Sequence, residues 1–123
     1  MNKVRVDIWG RDFDLPVIYQ VFPGEEITDK QKAALLDVHR VDYYEAQEEI
    51  RNYIHEYFAY ELGGQSLDNL FRYVMPKSIY IPKYPDTGRF AIMCDFKYDM
   101  EHGIAIVFEQ GRLLMASAQD WVL

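Results

Sequence analysis

The stretch Ile104-Ala105-Ile106-Val107-Phe108-Glu109-Gln110-Gly111-Arg112-Leu113-Leu114-Met115-Ala116 decides how the chain folds. Two runs of β-formers, Ile104 to Phe108 and Leu113 to Ala116, flank Gln110-Gly111, a compact hairpin turn. Upstream, Arg89 to Phe96 alternates, with Phe90, Ile92 and Cys94 on one side and Ala91 and Met93 on the other. Ser78 to Pro82 is shorter and also rich in β-formers. The last third of the chain therefore reads as a meander of strands.

The start of the chain has the same period of two. Met1 to Asp7 alternates and lacks the apolar run of a signal peptide; Gly10-Arg11 offers a turn, and Phe13, Leu15, Val17, Tyr19 and Val21 continue the pattern. Pro16 has no N–H for a ladder, so the second strand of this hairpin is expected at an edge or with a bulge. Pro23-Gly24 ends it.

Between these regions the spacing becomes helical. Thr28 and Gln31 are placed for a capping box, opening a helix that should run to about Arg40 with Ala34, Leu35 and Val38 inward. Asp42, with Glu45 three residues on, looks like a second cap, and that helix should reach Leu62 and stop at Gly63-Gly64. On it Ala46, Ile50, Tyr53, Ile54 and Tyr57 share one face, while Glu45, Glu48, Glu49 and Glu56 cluster on the other. A short helical turn from about Ser66 to Tyr73 follows, closed by Pro76.

The order of hairpin, helices and meander predicts an α+β fold: an antiparallel β-sheet of about six strands with two to three helices packed on one face, in the order ββααα(short)ββββ. A length of 123 residues without repeat or linker suits one domain, 1–123. One detail bears on function. Ile104, Ile106 and Phe108 alternate with Ala105 and Val107, so the sheet is apolar on both faces. We expect the chain's own elements to cover the second face; the other reading is that it meets another chain.

Charge narrows the partners. Thirteen basic against 20 acidic residues give a formal net charge of -7, which repels nucleic acid and anionic membranes and steers basic proteins inward. No run approaches the ~20 apolar residues of a membrane span. The single cysteine, Cys94, allows no internal disulfide and suits a reducing, cytoplasmic setting.

The densest group of chemistry-bearing residues is Asp95-Phe96-Lys97-Tyr98-Asp99-Met100-Glu101-His102-Gly103. Asp95, Asp99, Glu101 and His102 could hold a divalent ion for a hydrolase. Neighbours in an extended segment point to opposite faces, however, so Glu101 and His102 do not readily share an ion. The favoured reading is a structural turn: carboxylates accept backbone N–H bonds, His102 orients the connection and Gly103 permits an unusual backbone angle. Cys94 sits among Ile92, Met93 and Phe96 as a buried hydrophobe rather than a nucleophile. Ser66, Ser78 and Ser117 lack a nucleophile-elbow context, no phosphate-binding glycine loop is present, and His39 and His55 have no ligand partner at helical spacing. No catalytic residue, metal or cofactor is expected.

Two features favour binding. The Glu45, Glu48, Glu49, Glu56 face can dock basic residues, although such faces are often merely solvated. Ten tyrosines exceed what a core needs, with Tyr43, Tyr44, Tyr60, Tyr73, Tyr80 and Tyr84 the surplus candidates.

Tyr98-Asp99-Met100-Glu101-His102-Gly103, the following strand, Gln110-Gly111 and the ending Ala116-Ser117-Ala118-Gln119-Asp120 resemble an uncharacterised bacterial domain-of-unknown-function family. Its pattern is an aromatic-Asp-x-Glu-His-Gly element, a hairpin and a closing Gly-x-x-Asp. This chain has Tyr98 where Trp is usual and Ala116 where Gly is common. The resemblance covers about 35 residues, Arg89 to Leu123, and implies a bacterial, cytoplasmic α+β module with an immunity role; it supplies no catalytic residues. The reading is thus a small acidic protein, immunity or regulatory, that binds a basic protein or itself. The alternative is the metal-dependent hydrolase.

Overall fold

The computed structural model describes residues 2–123, so Met1 of the expected first strand lies outside the described residues. A hairpin of β1 (Lys3–Ile8) and β2 (Arg11–Tyr19) comes first, then the helices α1 (Asp29–Asp37), α2 (Glu45–Tyr57) and α3 (Ala59–Leu62). A 3₁₀ turn at Leu70–Arg72 leads into β3 (Val74–Ile81), β4 (Arg89–Phe96), β5 (Ile104–Glu109) and β6 (Arg112–Ser117). The six strands form one sheet in sequence order, β1-β2-β3-β4-β5-β6. The α+β class and the order of elements are those expected.

The sheet is mixed, not wholly antiparallel: β2 and β3 run parallel, pairing Val17 with Ile79 and Tyr19 with Ile81. All three helices lie in the connection between these strands, and a crossover of that kind brings two neighbouring strands in the same direction. Gln31 secures the junction. It is buried, and its Nε2 donates to the carbonyls of Gln20 and Ile81, both at 3.1 Å, at the ends of the two parallel strands. Its Oε1 accepts from Thr28 N while Thr28 Oγ1 accepts from Gln31 N, which completes the predicted capping box. One side chain therefore starts the helix and clasps the strands.

Pro16 sits within β2 without loss. Val17 N donates to Asn2 O, so the adjacent Pro16–Lys3 pair needs no hydrogen bond to β1, and pairing with β3 starts only at Val17. The hairpin turn is Trp9-Gly10 rather than Gly10-Arg11, both residues taking positive φ, and Trp9 Nε1 is anchored on Tyr43 O at 2.8 Å.

The helices depart from expectation at three points. Helix α1 ends at Asp37, short of Arg40. Asp42 does not cap α2; its carboxylate instead accepts Tyr44 N in a local turn, and α2 starts at Glu45 without a side-chain cap. The helix expected to run unbroken to Leu62 breaks at Phe58 (φ -132, ψ 26), whose ring meets Phe96 edge-on at 4.9 Å. Tertiary aromatic packing overrides local propensity there. Gly63, at φ 60, then ends α3 as predicted.

Ala34, Ala46, Ile50 and Ile54 of the helices, with Val38 just past α1, pack on Ile79, Phe90, Ile92, Ile104 and Ile106 of one sheet face. On the other face Ala91, Ala105 and Val107 are fully buried among Tyr80, Met93 and Met115, and Val122 folds back from beyond β6 to join them. The second face is thus closed by the chain itself, with low side chains set among taller ones.

Candidate functional site

Beyond β4 the chain makes a tight corner. Asp99 accepts His102 N at 3.2 Å and faces the ring Nδ1 at 3.1 and 3.2 Å, while its backbone carbonyl accepts Gly103 N at 2.8 Å. The hydrogen bond to Asp99, aided by its charge, raises the His102 pKa above the ordinary imidazole value. Gly103 is left-handed (φ 58), and a Cβ there would collide with the Cys94 carbonyl and the Gln119 side-chain amide. Gln119 closes the arrangement, its Nε2 donating to Cys94 O at 2.9 Å and its backbone N to His102 O at 3.0 Å. Asp99, His102, Gly103 and Gln119 thus latch the segment after β6 onto the end of β4.

The four candidate ligands do not converge. Asp95 is exposed on β4 and paired with Lys77 at 3.7 Å, and Glu101 is exposed with no described hydrogen bond. Among the described residues no three His, Cys, Asp or Glu side chains are grouped to hold a metal ion. Cys94 is fully buried, and desolvation pushes its thiol pKa far up, as expected of a core residue. The Ser117 hydroxyl is engaged by the Ala118 carbonyl.

Glu45, Glu48, Glu49 and Glu56 all lie exposed along α2. Glu45 and Glu48 occupy the first turn, where negative charge suits the helix N-terminus, and Glu48 approaches Arg51 at 3.8 Å. Of the six tyrosines singled out as surplus, Tyr43, Tyr73 and Tyr80 are core residues; Tyr44, Tyr60 and Tyr84 are exposed.

The aromatic surface that spacing alone missed lies beside β6. A groove of about 540 Å³ runs between the end of α2 and the edge strand, walled by Tyr53, Tyr57 and Phe58 on one side and Met115 to Ser117 on the other. Trp121, 75% exposed, stands at its border from the 3₁₀ turn Gln119–Trp121. Tyr57, expected inward, is 63% exposed because the helix breaks immediately after it; its ring lies 5.2 Å from Tyr53. Burial raises the Tyr53 pKa, and the nearby carboxylates of Asp99 and Asp120 raise it further. Glu49 and Glu56, four residues before and three after Tyr53, flank it along α2. Carboxylates therefore surround Tyr53, and among the described residues no lysine or arginine lines the groove. An exposed tryptophan in the polar ending Ala118-Gln119-Asp120-Trp121 was the one sequence signal that could have drawn attention here.

No helix among the described residues is long and apolar enough to cross a membrane. Neither the curated proteins nor the solved structures contain a match to this chain. A family does match, and over the whole length rather than the last third: across residues 1–123 the chain belongs to the family described as Domain of unknown function (DUF6985).

Proposed function

We propose that this domain works by protein–protein contact and not by catalysis, binding a basic partner as an immunity or regulatory protein in the bacterial cytoplasm. The observation that carries the reading is the aromatic groove beside α2, whose Tyr53 has carboxylates near it. Aromatic side chains supply contact area at low entropic expense, and surrounding carboxylates speed and select a cationic partner. The net charge of -7 acts in the same direction. The resemblance of the C-terminal third supports the immunity role; of the hydrolase candidates Asp95, Asp99, Glu101 and His102, only Asp99 and His102 meet, and Asp95 pairs with Lys77 instead.

Calorimetric titration with a lysine-rich peptide tests this. Binding should weaken with added salt, and Glu48→Lys with Glu49→Lys should lower affinity about tenfold. Asp12→Lys with Glu26→Lys reverses as many exposed carboxylates away from α2 and should change affinity far less. Equal losses in the two variants, or no heat with the wild type, would remove this surface from consideration.

A further inference from the structure

We infer that the groove receives an extended, lysine- or arginine-bearing segment of the partner protein, which pairs with β6 as a seventh strand. The inference rests on the basic-partner reading above and adds the mode of contact. β6 is the last strand of the sheet, and beyond its ladder with β5 no described hydrogen bond reaches the backbone of residues 112–117. An edge strand leaves every second N–H and C=O free, a template for an incoming strand. The bulge in the β5–β6 ladder lies between Val107 and Phe108, so Met115, Ala116 and Ser117 pair regularly with β5, and these same three residues wall the groove. A strand added there would lay alternate side chains against Tyr57 and Trp121.

Charge selects the occupant. Glu49 and Glu56 flank Tyr53 along α2, the charges of Asp99 and Asp120 also reach Tyr53, and among the described residues no lysine or arginine lines the groove; His102 offsets Asp99 only when protonated. A second copy of this chain, pairing β6 with β6 about a two-fold axis, would set those carboxylates against their own copies. A segment whose α2-facing side chains include both apolar and basic residues, two positions apart, satisfies the free backbone, the aromatic wall and the carboxylates together.

The probe is a lysine–valine peptide of about ten residues, the length of a long strand, repeating lysine-serine-valine-serine so that lysine and valine share one face; binding is followed by Trp121 fluorescence and by amide chemical shifts. Two controls go with it: the same peptide N-methylated at alternate amides, and a glutamate–valine peptide. The expected result is saturable binding with shifts at residues 115–117, at least tenfold weaker binding after N-methylation, and none with glutamate–valine. Trp121→Ala, at an exposed side chain, should weaken binding about tenfold while the fold is kept; the peptide arms need no variant at all. Equal binding of the N-methylated peptide, with shifts confined to the Glu45–Glu49 face, overturns strand addition and leaves the acidic-surface reading standing. Failure of the lysine–valine peptide to bind at low salt overturns both.

Discussion

At one edge of the sheet β1 turns Lys3, Arg5 and Asp7 to solvent, with Arg5 forked onto Asp14 at 3.0 and 3.2 Å; at the other, β6 presents Leu114, 45% exposed, beside an aromatic groove. Charged side chains along an edge discourage another strand from pairing there. β6 has only Arg112 for charge, at its hairpin end, and its irregularity also lies towards that end. The contrast teaches that this protein guards one edge and leaves the other open next to its most aromatic surface.

The two edges are also held by different devices, and removing each device sharpens the comparison. The largest effect is expected at the β6 side. Gly103→Ala drives a Cβ into the Cys94 carbonyl and the Gln119 amide at a left-handed position, so chemical denaturation should show a loss of about 4 kcal/mol. On the β1 side, the hairpin joins the rest of the sheet through the short β2–β3 pairing that Gln31 clasps. Gln31→Ala takes a donor from the Gln20 and Ile81 carbonyls, the second of which keeps Gln20 N, and opens half of the capping box, and should cost about 2 kcal/mol in the same measurement.

A smaller effect on stability should accompany removal of the charges on β1. Lys3→Val with Arg5→Val breaks only an exposed, solvent-screened ion pair. Sedimentation should nevertheless show new self-association, because the guarded edge has become an open one; an unchanged monomer–oligomer balance would mean that charge is not what protects β1.

The smallest effect is the pH dependence of the corner. Asp99 holds the His102 imidazolium pKa above its ordinary 6.5. That contribution is complete below the unfolded value and is lost as pH rises through the higher folded value. As pH rises from below 6.5 through the raised folded value, the wild type should therefore lose slightly more thermal stability than His102→Gln. Parallel profiles would show that the pair contributes nothing to the folded state.

Much of the fold was legible because its signals are local. The Thr28–Gln31 box, the stop at Gly63, the Gln110-Gly111 hairpin and the core placement of Cys94 each depend on residues a few positions apart or on simple alternation. The parallel β2–β3 pair was not legible, since strand direction there is set by where the whole helical connection returns. Nor was the break at Phe58, which answers to Phe96 on a distant strand and turns Tyr57 from an inward residue into a groove wall. The exposure of Glu45, Glu48, Glu49 and Glu56 followed from helical spacing. The aromatic groove is assembled from three separate segments, and no single stretch of sequence announces it.

The most direct test of the account is hydrogen exchange at the two edges with and without the lysine–valine peptide. Strand addition predicts slowed exchange of β6 amides within 115–117 and unchanged exchange along β1. Equal slowing at both edges, or none at β6 when the peptide is bound, would contradict it.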